Sequence, residues 1–255
     1  MKEADIYEEI ARLRAAGEEA ALATIILAKG SVPRREGAKM LVRADGMTLG
    51  SLGGGELEAR VREKAREVLE SSQPERLHFE LTGKQMDMIC GGEVEVFIEP
   101  LLPTPALYIF GGGHVSIPLA KMGKLLDFRV TVVDERPEFA NPERFPEADE
   151  VIAKSFEKAF EELKIGRSSY LVIVTRDYRS DERALELALR TTARYIGMIG
   201  SQAKKETIFS NLQAKGVPKK ALDRVHTPIG LEIGAETPAE IAVSILAEII
   251  KVRHS

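Results

Sequence analysis

The chain holds one cysteine, Cys90, among its 255 residues. No intrachain disulfide can form, and no paired-cysteine metal motif exists. Histidine is also scarce. His78, His114, His226 and His254 are the only four, so there is no obvious acid–base pair. No apolar run approaches the length of a bilayer span, and the opening MKEADIYEEIARLR is too charged for a signal peptide. Excess positive charge is missing as well. A net charge of −4 gives no electrostatic basis for binding nucleic acid or an anionic membrane surface. These absences favour a cytoplasmic protein with no nucleic-acid or membrane partner, and they leave its chemistry open.

What is present is an ordinary soluble composition, 44% apolar and 30% charged, in a length that suits one large or two modest domains. The first part reads as α+β. A helix is expected over Asp5–Ala16, with Ile6, Ile10 and Leu13 on one face, and a buried strand over Ala21–Ala28. Two short apolar segments around Ala44-Asp45-Gly46 predict a hairpin. A helix over Leu57–Ser71 should turn Leu57, Val61, Ala65, Val68 and Leu69 inward. Strands are expected around Leu77–Leu81 and Val94–Ile98. LLPTPA, residues 101–106, has two prolines at a change of pattern and reads as a linker between domains at 1–100 and 107–255.

Beyond it, strands at 107–110, 129–133, 150–153, 170–175 and 195–199 alternate with helices at 116–126, 156–163 and 182–191. That order implies a Rossmann-like, doubly wound parallel sheet. Thr237, Pro238 and Glu240 open a last, largely apolar helix with a capping box.

Two triple-glycine turns stand out. IFGGGHVS follows a strand and opens a helix. Read as a dinucleotide fingerprint, it gives Gly111, Gly113 and then Ser116 in place of a third glycine. Asp134 ends the next strand, about 20 residues on, where a ribose-binding carboxylate is expected. Gly112 and His114 belong to the same turn. His114 is either a ligand contact or a loop histidine bonded to backbone. The loops after the fourth and fifth strands bring Arg176, Asp177 and Asp181, and Gly200, Ser201 and Lys204, to the same edge. They suit an anionic ligand, or they cap helices through Ser180, Asp181 and Ser201.

The other turn, SLGGGELEAR, follows a hairpin and lacks the distant carboxylate, so it is no dinucleotide fingerprint. The successive amides of Gly53, Gly54 and Gly55 could form an anion-binding nest. Glu56 and Glu58 would repel a phosphate there, whereas Lys29, Arg34 and Arg35 of the loop KGSVPRREG would attract one. In MDMICGGEVEV, Cys90 precedes Gly91 and Gly92. It is an inert small hydrophobe or an accessible thiolate able to ligate a metal.

GSVPRREGAKMLVRADGMTLGSLGGGELEARV and DMICGGEVEVFIEP resemble the xanthine dehydrogenase accessory family of the XdhC and CoxI type. LYIFGGGHVSIPLA, VTVVDERPEFAN, VTRDYRSDE, YIGMIGSQAKK and TPIGLEIGAETPAEIAVSILAEI resemble it too, in the same order over nearly the whole chain. The resemblance implies a holder of molybdenum cofactor (molybdopterin) rather than a catalyst, with no catalytic residue assigned. Such a protein keeps the cofactor while a cysteine desulfurase sulfurates it, then delivers it to a molybdenum hydroxylase apo-enzyme. It also implies a homo-oligomer. On this reading the ligand lies at the interface of the two domains. Gly111–Gly113 take a phosphate, Arg34, Arg35 and Gly53–Gly55 meet the pterin, and Cys90 lies near the metal. Two departures stand out: Glu56 occupies a position where relatives often carry cysteine, and Tyr178 one where they often carry histidine. The alternative is an NAD(P)-binding oxidoreductase or nucleotide-sensing module built on Gly111, Gly113 and Asp134.

Overall fold

The computed structural model describes residues 4–81 and 91–254. Cys90 lies outside them. The chain divides into two compact units, 1–103 and 104–255.

The first unit contains α1 (Ala4–Ala16), β1 (Ala20–Lys29), β2 (Lys39–Arg43), β3 (Thr48–Gly50), α2 (Gly55–Ser71), β4 (Glu75–Glu80) and β5 (Glu93–Leu101). Its sheet is antiparallel, in the order β3-β2-β1-β5-β4. β1 is central, and its near-continuous apolar run follows from cover on both faces. Alternate residues Ala21, Ala23 and Ile25 pack with the apolar stripe of α2, while Ala20 and Leu22 join Ile6 and Leu13 of α1. The five inward positions expected on α2 are all buried. The edge strand β4 carries Glu75, Arg76, His78 and Glu80, charges that discourage pairing with another chain.

The second unit is a six-stranded parallel sheet. Its strands are β6 (Ala106–Phe110), β7 (Arg129–Val133), β8 (Glu150–Ile152), β9 (Ser169–Ile173), β10 (Tyr195–Met198) and β11 (Val225–His226). The spatial order β11-β10-β9-β6-β7-β8 is that of a Rossmann fold, with the reversal between β6 and β9. Side chains alternate along each strand. Leu107 and Ile109 pack with α3 (Ser116–Leu125) and α8 (Pro238–Arg253). Tyr108 and Phe110 pack on the other face, toward α4 (Phe156–Glu162), α5 (Tyr178–Ala188) and α6 (Gln202–Ala214). A short α7 (Lys219–Leu222) precedes β11.

Three features differ from the sequence reading. α5 begins at Tyr178 rather than Glu182, because Asp177 caps it. Asp177 accepts from the amides of Arg179 and Ser180, so neither Ser180 nor Asp181 is that cap. The element β11 was not expected.

Candidate functional site

The carboxyl ends of β6 and β9 flank the reversal of strand order, where ligands of open α/β sheets bind. The turn after β6 is set there by its glycines, each for a different reason. Gly111 has φ +112°, and a Cβ on it would stand 2.8 Å from the Val174 carbonyl carbon. A Cβ on Gly112 would stand 2.9 Å from the carbonyl carbon of Phe139. Gly113 has neither constraint. A Cβ there would meet nothing within 4 Å. Its missing side chain leaves backbone open to an approaching group. Ser116, fully buried at the third-glycine position, donates to the Gly111 carbonyl at 2.5 Å and ties α3 to the turn. No side chain caps α3, so its positive dipole end and the amides of Ser116 and Ile117 have no side-chain partner, while Pro118, third in the helix, has no amide. His114 is exposed beside them.

Asp134 sits at the end of β7 and is 5% exposed. Its carboxylate accepts from the Gly112 amide at 2.8 Å, the Arg136 amide at 3.0 Å, and Arg136 Nε and Nη2 at 2.9 Å each. Burial alone would raise its pKa. The Arg136 side chain and the Gly112 and Arg136 amides outweigh that and hold it below the usual carboxylate value. Four donors occupy the four lone-pair sites, so nothing remains for a ribose diol. Arg136 in turn stacks 3.7 Å over the Phe139 ring. Arg144 donates to the Gly112 carbonyl at 3.1 Å. The segment DERPEFANPERF thus wraps the middle glycine. The arginine two residues after a strand-end acid was the available signal for this clamp.

The β9 and β10 loops supply the rest of this edge. Asp177 is the α5 cap, and its other oxygen accepts from Arg176 Nε at 3.0 Å. Ser201 caps α6 through the Lys204 amide. Asp181 is fully buried, accepts from the Thr175 amide at 3.1 Å and its hydroxyl at 2.7 Å, and pairs with Lys204 Nζ. The polar residues expected here converge on one edge, and most of them hold one another.

In the first unit the glycine nest forms and its occupant is internal. Gly53, Gly54 and Gly55 all have positive φ. Glu58 Oε1 accepts from the Ser51 hydroxyl at 2.7 Å and the Leu52 and Gly54 amides at 2.9 Å each. Burial opposes ionisation of Glu58, but these bonds outweigh it and hold its carboxyl below the usual value. With Glu58 in place those amides have no capacity for an outside anion. Glu56 pairs with Arg60 at 2.8 Å. Pro33 and Arg34 lie over Gly53, and Gly91 and Gly92 pack against Gly30, the Lys29 and Ser31 carbonyls and the Val32 side chain, so loop 29–37 touches both glycine segments. Arg34 and Arg35 line a cavity of about 450 Å³.

A family model described as the XdhC Rossmann domain matches residues 107–249, more than half of the chain, and one described as the XdhC and CoxI family matches residues 13–80. The chain belongs to the XdhC family. It is 36% identical to YqeB of Escherichia coli over 98% of this chain and 47% of that protein. It is 34% identical to a Bacillus subtilis protein named as a probable xanthine dehydrogenase subunit, over 62% of this chain and 46% of that one. The chain thus spans about half the length of these two relatives. It is 20% identical to the molybdenum cofactor insertion chaperone PaoD of Escherichia coli, over 93% of this chain and 84% of the relative. A solved structure titled as a xanthine dehydrogenase from Bacillus halodurans shares the fold, with a TM-score of 0.54 and 24% identity over 97% of this chain and 95% of that one. Among the described residues no helix is long and apolar enough to cross a membrane, and no group of three or more His, Cys, Asp and Glu side chains could hold a metal ion.

Proposed function

We propose that this protein is an accessory factor for a molybdenum hydroxylase of the xanthine dehydrogenase type. It binds the molybdenum cofactor, holds it while a cysteine desulfurase sulfurates it, and delivers it to the apo-enzyme. The observation that carries the reading is the asymmetry of the second glycine turn. Gly113 and the uncapped start of α3 are open to an anion, while the carboxylate that a dinucleotide needs is held by Gly112 and Arg136. That donor set fits the phosphate of a pterin cofactor. The names of PaoD and of the Bacillus subtilis relative support the same direction.

When bound, the cofactor supplies the molybdenum centre. The chain's own part is grip and shelter. The Gly113 backbone and the Ser116 and Ile117 amides at the start of α3 hold the phosphate, while Arg176 and Lys204 on that edge stay paired with Asp177 and Asp181. Cys90, outside the described residues, is the candidate to meet the metal. The alternative, NAD(P) binding, would require Asp134 to leave Gly112 and Arg136 before it could accept from a ribose.

The test is anaerobic expression in a host that makes molybdenum cofactor, followed by molybdenum analysis by mass spectrometry and pterin fluorescence after oxidation. Near-stoichiometric pterin and molybdenum in the wild type, with loss in Gly113→Leu, is the expected result. Clean apo-protein that instead binds NAD would overturn the reading.

A further inference from the structure

Gly112 is held on both sides. Its amide donates to Asp134 at 2.8 Å, and its carbonyl accepts from Arg144 Nη2 at 3.1 Å. The first bond fixes the peptide before Gly112. The second fixes the peptide after it, whose N–H belongs to Gly113. That peptide is trans, so its carbonyl and its N–H point to opposite sides of one plane. Arg144 thus grips the far end of the group that faces outward at Gly113. The Gly113 amide itself donates to nothing among the described residues, and its residue is half-buried with no contact at the Cβ position. The two arginines of this turn differ in charge balance. Arg136 commits Nε and Nη2 to Asp134. Arg144 has no ion pair among the described residues, and its Nε is buried without a partner. Its guanidinium carbon lies 5.2 Å from the centre of the Phe139 ring, a contact that supports a cation without neutralising it. A partly buried cation with no anion beside it is costly to a fold.

We propose that Arg144 is a positioning residue of the second glycine turn, which aims and polarises the Gly113 amide and keeps a charge in reserve for the anion that meets it. The inference rests on the reading that Gly113 faces an anionic group, and it names the residue that prepares that amide. Arg144 acts in two ways. A cation at the peptide oxygen favours the resonance form with a negative oxygen and a positive nitrogen, so the N–H at the other end becomes a stronger donor. The charge also acts through space. The guanidinium stands roughly 5 Å from the Gly113 nitrogen, inside the screening length of about 8 Å at physiological salt. Arg176 and Lys204 offer no such reserve, since each is paired with an aspartate. Arg144 reaches the anion only through the peptide, so it orders the donor without being one.

The test titrates the full chain with inorganic phosphate and follows the backbone amides by nitrogen–proton NMR. In the wild type the Gly113 amide should shift saturably. Arg144→Met removes the charge and the bond but keeps an apolar stem beside Phe139. Its Gly113 amide should move upfield before phosphate is added, and phosphate should bind about three- to tenfold more weakly. Arg144→Lys should fall between, because charge remains and the planar fork does not. Added salt should narrow the gap between wild type and Arg144→Met. A purely structural Arg144 would lower the urea midpoint and leave both the free Gly113 resonance and the phosphate affinity unchanged, and that result overturns the proposal. If Arg144→Met does not fold, the same two readouts on Arg144→Lys decide: weaker binding with a displaced Gly113 amide supports the proposal, and wild-type values for both overturn it. A wild-type Gly113 amide that phosphate does not move overturns it too. Phosphate binding that depends on Arg144, in a chain that purifies without pterin, would refute the cofactor reading alone.

Discussion

Asp134→Ala removes an acceptor from a turn that the chain cannot otherwise satisfy. The carboxylate takes four hydrogen bonds, one from Gly112 and three from Arg136. The donors do not lose equally. Gly112 is buried beneath Phe139, so its amide is left without a partner at a cost of about 1–3 kcal/mol. The Arg136 side chain is 26% exposed and keeps its stack on Phe139. Its guanidinium regains water, and the loss there is about 1 kcal/mol or less. The sum is about 1–4 kcal/mol. Urea denaturation followed by far-ultraviolet circular dichroism reads it, with the two units fitted as separate transitions. The midpoint of the second unit should move with its slope unchanged. The effect also has a pH signature. Because the folded carboxyl is held below its ordinary value, its contribution is present above about pH 3.9 and fades as pH falls through the depressed folded pKa. The wild-type and variant curves should therefore converge only in strong acid. A variant as stable as the wild type at pH 7 would refute the clamp and return Asp134 to the groups free to meet a ribose.

The three glycines of the same turn should separate in a parallel experiment. Gly111→Ala and Gly112→Ala should each destabilise by about 1–3 kcal/mol in urea, the first through its φ of +112° and its contact with Val174, the second through Phe139. Gly113→Leu should stay within about 0.5 kcal/mol of the wild type and yet purify without pterin. Glu58→Ala should cost about 1–2 kcal/mol, since the freed donors are partly reachable by water, and hydrogen exchange at Leu52 and Gly54 should accelerate. Tyr195→Phe removes a hydroxyl that donates to Glu248 at 2.5 Å from a ring 1% exposed. Burial first, then Glu248, drive the Tyr195 pKa far upward, so the hydroxyl stays a donor. Its loss should lower stability by about 1.5–3 kcal/mol at neutral pH, read by the urea midpoint.

The sheets were legible because their strands are apolar in ways that burial dictates. β1, β6, β7 and β9 are covered on both faces and read as continuous runs. The start of α5 was not legible for a physical reason. Its first turn buries Ser180 and Asp181, polar residues that a search for an apolar stripe passes over. α6 buries only Ile208 and Leu212, which gives a weak periodic signal, and β11 has two residues. At the candidate site the glycines were legible because backbone strain is written into residue type. Which carboxylate meets which amide was not, because Asp134 and Arg144 reach Gly112 from 22 and 32 residues away, and because nothing in the residue types says that Glu58 turns back to its own loop rather than out to solvent.

That difference separates two turns that look alike on paper. Each triple glycine has a carboxylate of its own. In the first turn the acid lies one turn into the following helix, so Glu58 folds back and neutralises the amides that would face a ligand. In the second, the acid comes from the neighbouring strand and binds only the middle glycine, which fixes the turn and leaves Gly113 clear. A carboxylate placed within the helix fills a nest, whereas one placed beneath the turn braces it open. By this reasoning the motif alone does not make a ligand site. The position of the nearest acid decides, and in the second unit it meets Gly112 and leaves Gly113 clear, which is why the anion position proposed above is placed there.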